Sequence, residues 1–176
     1  MDFLTSMILK DEYVHWLQGL IGNRAVDLGK TECQRCGFCC ALRPCIPTPD
    51  ELENIAKYLK MSVKECMKKY FVIDSFDGIH KFIFPAKECQ LDITGEYISS
   101  RRTYDMGYCV FYDKNKKICK IFPVRPEHAR TSNCWDNNNN NKGKANCDQA
   151  ILSWGEIDIT KYCDGIKGEL FNNVKE

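Results

Sequence analysis

At 176 residues the chain has the length of a single domain and can bury a core unaided. Its 25 Lys and Arg nearly cancel 24 Asp and Glu, leaving a net charge of +1, which excludes a global field for gathering nucleic acid or anionic lipid. Twelve cysteines exceed ordinary usage and call for a disulfide, metal or redox account before any other.

The first ten residues carry no basic leader, and no apolar run approaches the roughly 18 residues of a spanning helix. The expectation is a cytoplasmic chain, away from membranes, whose thiols stay reduced unless a metal takes them. Phe3, Leu4, Met7, Ile8, Val14, Leu17, Leu20 and Ile21 recur every three to four residues and predict an amphipathic helix within residues 1–30, ending near Gly22 and Asn23. A core-facing role is expected for it, with His15 and Trp16 as ordinary members.

Cys33 to Cys45 form a compact knuckle that ends in Ile46-Pro47-Thr48-Pro49. Thr48 or Asp50 can then cap a helix through Glu51 to Leu59. Ser62-Val63-Lys64-Glu65 has capping-box spacing and predicts a second helix to about Phe71, in which Cys66 is a small buried hydrophobe. Alternation over Ile79 to Phe84 predicts a strand closed by Pro85. Tyr108 to Tyr112 and Ile118 to Phe122 flank the polar turn Asp113 to Lys117, predicting a hairpin that brings Cys109 near Cys119. Residues 137–144, an Asn run followed by Lys142-Gly143-Lys144, are too polar to bury and predict a flexible loop within a cysteine-cluster domain over 31–168, with 169–176 as a tail. The expected fold class is α+β: short helices around a β-hairpin, with much irregular chain organised by a cysteine-ligated metal centre.

The most informative stretch is Cys33-Gln34-Arg35-Cys36-Gly37-Phe38-Cys39-Cys40. Two-residue spacers let a tight loop turn successive sulfurs toward one centre, and Gly37 supplies the backbone freedom that such a loop needs. Thiolates so spaced suit zinc, and they suit a four-iron cluster (4Fe-4S) completed by a distant cysteine. Side chains of adjacent residues usually diverge, so Cys39 and Cys40 imply two sites, or one site plus a structural thiol. Arg35, Lys120, Arg125 or Arg130 could offset the charge of an anionic cluster. His15, His80 and His128 are dispersed and form no ligand pattern.

Taken together, these residues resemble the CxxCxxCC cysteine-cluster family, described as a zinc- or iron-chelating domain and including YkgJ-type proteins and flagellin lysine N-methylase. The resemblance covers about residues 33 to 168. It is carried by the first knuckle, by Cys109-Val-Phe-Tyr-Asp and Cys119-Lys-Ile-Phe with Arg125-Pro126, and by Cys163-Asp164-Gly165. It implies metal ligation by Cys33, Cys36, Cys39, Cys40, Cys109, Cys119, Cys134 and Cys163, with Arg125 and Arg130 beside the cofactor. The chain departs from the family pattern at Ala129, where a cysteine is usual, and at Asp164, where a proline is usual. Cys134 or His128 could replace the missing ligand, and Cys45, Cys89 and Cys147 stand in reserve.

Two functions follow. The first is a cytoplasmic iron-sulfur or zinc protein with an accessory or redox role. The second, implied by the likeness to flagellin lysine N-methylase, is methyl transfer from S-adenosylmethionine to a protein lysine, so that a protein partner or substrate is expected. No Gly-rich loop after a strand supports a methyl-donor site, and whether the chain is an enzyme stays open. Scattered basic residues disfavour a nucleic-acid binder despite the locally basic Lys114 to Lys120 segment.

Overall fold

The computed structural model describes residues 33–42, 45–76, 80–98, 105–131, 140–155 and 157–162, together with Gly19. The expected helix within 1–30 lies outside the described residues, save that Gly19 is helical. The tail, Cys134 and Cys163 also lie outside them.

Helix α1 (Phe38–Leu42) follows the cysteine knuckle directly. Helix α2 (Pro49–Tyr58) starts where the sequence places it. The Thr48 hydroxyl accepts from the Glu51 amide at 3.3 Å, and the Glu51 carboxylate accepts from the Thr48 amide at 2.8 Å. The other oxygen of the same carboxylate accepts the Glu127 amide at 2.8 Å, so one acid caps two helix starts. Helix α3 (Val63–Tyr70) has the matching box between Ser62 and Glu65 and buries Cys66 and Met67.

The expected second helix stops one residue early, and a strand takes over. Phe71, extended at φ −120° and ψ 153°, opens β1 (Phe71–Phe76), which pairs antiparallel with β2 (His80–Pro85) from Phe71 opposite Pro85 to Phe76 opposite His80. Aromatic and β-branched side chains at Phe71, Val72 and Ile73 favour the pleated surface over a further helical turn. Successive residues Phe71, Val72 and Ile73, like Ile83 and Phe84, have no accessible surface, so both faces of this hairpin are covered. Helix α3 packs on β1, and α5 (Asn140–Leu152) packs on β2. Each such side chain contributes about 1.5–3 kcal/mol of burial.

Helix α5 corrects the expected loop over 137–144, since its backbone is helical from Asn140. Tertiary anchoring outweighs the weak propensity of Asn and Gly here. Ala150, Ile151 and Trp154 are buried, and the Asn146 amide donates to the Thr131 hydroxyl at 2.9 Å. Trp154 then donates its indole N–H to the Pro47 carbonyl at 2.7 Å, tying this end of the chain to the segment before α2.

The second hairpin is shorter than expected: β3 (Tyr112–Asp113) pairs with β4 (Ile118–Cys119) only at Tyr112 opposite Cys119 and Asp113 opposite Ile118. Competing partners explain it. Cys109 bridges Lys87, the Val110 amide donates to the Ala86 carbonyl at 2.9 Å, and Phe122–Val124 winds into a 3₁₀ turn containing Pro123. The Asp113 carboxylate organises the turn by accepting the Asn115 and Lys116 amides. Helix α4 (Glu127–Thr131) follows, and 3₁₀ turns at Glu88–Ile93 and Ile159–Tyr162 complete an α+β arrangement. No helix of the described residues is long and apolar enough to cross a membrane.

Burial also sets one pH response. Asp74, buried in β1, is pushed up to about 6 from an ordinary 3.8, against the opposing hydrogen bond from the Ser75 amide. Between those values the folded state holds a proton that the unfolded state has released, so this group costs stability as pH rises from about 4 to 6. Asp74→Asn, which keeps an acceptor for Ser75, should raise the melting temperature at pH 8 and not at pH 4. Equal shifts at both values would contradict this assignment.

Candidate metal centre

The knuckle turns because two of its residues take left-handed backbone, Arg35 at φ 57° and Gly37 at φ 80°. Gly37 is also pressed by a neighbour, since a Cβ there would lie 2.8 Å from the ring of Tyr112. The Tyr112 hydroxyl in turn donates to the Arg35 carbonyl at 3.0 Å. Gly37→Ala should therefore cost about 1–2 kcal/mol from the left-handed backbone alone, with ring displacement added. Urea titration checks it, and an unchanged midpoint would count against the geometry.

Distant segments are stitched to this knuckle and to one another by backbone hydrogen bonds. The Cys109 amide donates to the Cys40 carbonyl at 2.8 Å, the Glu88 amide to the Tyr108 carbonyl at 3.0 Å, and the Lys120 amide to the Phe111 carbonyl at 2.7 Å. Together they bring Cys33, Cys36, Cys39 and Cys40 to one cavity of about 80 Å³ with Cys109 and Cys119, all six described residues of the expected ligand set. Cys45, held in reserve by the sequence reading, lines it as well. Pro85, Phe111, Tyr112, Ile121 and Phe122 supply apolar wall. The ten described cysteines are all thiols.

The Cys39 and Cys40 side chains do not diverge as expected but share a hydrogen bond. That bond is the main reason the Cys39 thiol falls to about 7 while Cys40 is driven far above the usual range; burial opposes the first shift and adds to the second. Burial is the leading cause elsewhere. It pushes Cys109 up to about 12 and raises Cys119 and Cys45, with neighbouring thiols adding to each. Such a wall favours neutral thiols until a cation compensates them.

Two basic residues face the thiols. Arg125 lines the cavity with its guanidinium 4.1 Å from the Phe122 ring centre, and its charge lowers Cys39, Cys45 and Cys119. Lys87, which the sequence reading did not single out, is 2% exposed and donates from Nζ to the Asp105 carbonyl at 2.7 Å. Burial lowers its pKa, against opposing pulls from Cys89, Asp105 and Cys109. Arg130 stands outside the cavity wall and donates to the Arg125 and Pro123 carbonyls, bracing the turn that carries Arg125.

Ala129 lines the cavity, whereas His128 does not and accepts the Ile46 amide on Nδ1 at 3.1 Å. Cys66 is a core residue as expected, Cys89 is exposed, and Cys147 packs against the core outside the cavity. Among the described residues, no three Cys, His, Asp or Glu side chains stand where a single ion would hold them together. The donor set among the described residues is nevertheless uniformly soft, because no described carboxylate or imidazole joins the sulfurs in the wall. That set suits zinc or iron-sulfur in preference to magnesium or calcium.

A family model described as "CxxCxxCC: Putative zinc- or iron-chelating domain" matches residues 32–148. The chain is similar to an uncharacterized protein, MJ0661, of Methanocaldococcus jannaschii, with 36% identity over 94 residues. That alignment takes in 53% of this chain and 39% of the relative, so the chain spans well under half the length of the curated protein it matches. No solved structure matches the chain.

Proposed function

Because the chain belongs to the CxxCxxCC family of zinc- or iron-chelating domains, we propose that its cysteine-lined cavity holds an iron-sulfur cluster and that the protein serves an accessory or electron-carrying role. The observation that carries this reading is the gathering of six thiols from the knuckle, Cys109 and Cys119 around one cavity, more than the four that a single tetrahedral ion takes. A tetrahedral zinc ion with bonds of about 2.3 Å needs its sulfurs about 3.8 Å apart. A cluster presents several irons and accepts thiolates spread more widely. When bound, it would supply reversible one-electron transfer.

The chain's own residues suit that role. The knuckle, Cys109 and Cys119 would hold the cluster, and the apolar wall of Phe111, Ile121 and Phe122 would limit water and lower the local dielectric. Arg125 and Lys87 place positive charge against the thiolates and so favour an anionic centre.

Anaerobic purification followed by iron, zinc and acid-labile sulfide analysis tests the proposal. Iron and sulfide in comparable amounts, with broad visible absorption bleached by dithionite, are expected. A colourless protein carrying zinc and no sulfide would replace the cluster by a zinc site. Saturable heat on titration with S-adenosylmethionine would favour methyl transfer over electron carriage.

A further inference from the structure

We propose that Cys45 is a ligand of the inorganic centre, joining the six cavity cysteines named by the sequence pattern. The inference rests on the reading of the cavity as a metal or cluster site.

Cys45 shares a wall with thiols that come from other parts of the chain. Its surroundings differ from those of a packing cysteine. Cys66, at 0% exposure inside the hydrophobic core, is raised by burial alone. Cys45 is partly buried, lies outside that core cluster, and feels Cys39, Cys109 and Cys119 in addition to burial. It therefore stands on the cavity wall with the other thiols rather than in the hydrophobic core.

Its position is also held from outside the knuckle. The next residue, Ile46, donates its amide to His128, and the Pro47 carbonyl accepts the Trp154 indole, buried bonds between residues 82 and 107 apart in sequence. These bonds fix the backbone immediately after Cys45, which lines the same cavity as the Cys33 to Cys40 knuckle.

The test compares Cys45→Ser and Cys45→Val in the full chain, purified anaerobically, by metal content and visible absorption. If Cys45 is a ligand, Cys45→Val loses the metal, while Cys45→Ser keeps a fraction of it with shifted absorption because an oxygen replaces a sulfur. Cys45→Val with wild-type metal content and spectrum overturns the inference and leaves the proposed function standing. Where Cys45→Val does not fold, Cys45→Ser decides: a shifted or lost spectrum supports ligation, and an unshifted spectrum at full metal content overturns it. Wild-type protein free of metal overturns the inference together with the reading beneath it.

Discussion

Cys109→Ser is expected to purify without its inorganic centre and to lose most of its cooperative thermal transition. Cys109 is the point where the knuckle meets the rest of the chain: its amide is bound to the Cys40 carbonyl, it bridges Lys87, and its thiol stands near those of Cys39 and Cys119. Binding free energies at structural thiolate sites run to about 10–16 kcal/mol. Whole domains are stable by only about 5–15 kcal/mol. Loss of the centre is therefore comparable in size to folding itself. Cys147→Ser, outside the cavity, should keep both metal and melt. Metal analysis with circular dichroism melting distinguishes the two variants, and a Cys109→Ser protein that melts and binds metal like wild type would refute the assignment.

The second large effect lies in the core. Trp154→Ala should destabilise the protein by about 3–5 kcal/mol through lost burial and the cavity left behind. A further loss of about 1–3 kcal/mol is expected because the Pro47 carbonyl is left without its indole donor. Trp154 is 1% exposed and stacks edge-on against Tyr162 with ring centres 6.1 Å apart. Trp154→Phe should recover most of the packing but not the hydrogen bond, and so fall between the two in denaturant titrations. Equal stability of Trp154→Ala and wild type would show that this tie does not hold the segment behind Cys45.

The parts of this molecule that are legible in its sequence are those with local causes. Thr48 with Glu51 and Ser62 with Glu65 announce their helices because a capping box is a contact between residues three apart. The knuckle is equally local, since Cys spacing and a left-handed Gly37 are properties of eight consecutive residues. Strand β1 is harder to see because Phe71 to Phe76 begins without a break after α3, and burial on both faces removes the alternation that would mark it.

Long-range effects account for the rest. Nothing near Lys87 in the chain indicates a buried lysine; its burial depends on Asp105 and on the bridge to Cys109. Cys45 resembles other reserve cysteines until the Ile46 to His128 and Trp154 to Pro47 bonds fix its neighbourhood. Arg130 looks equivalent to Arg125 in sequence, yet it turns toward the Pro123 and Arg125 carbonyls while Arg125 lines the thiol cavity. The helical start at Asn140 likewise follows from the anchors at Asn146, Ala150, Ile151 and Trp154 rather than from the Asn run itself.

X-ray absorption at the metal edge of the anaerobically purified full chain most directly probes convergence of these sulfurs on one centre. The account predicts an iron edge with a shell made of sulfur and a short iron–iron vector. A shell dominated by nitrogen and oxygen, or protein with no bound metal to measure, would contradict it.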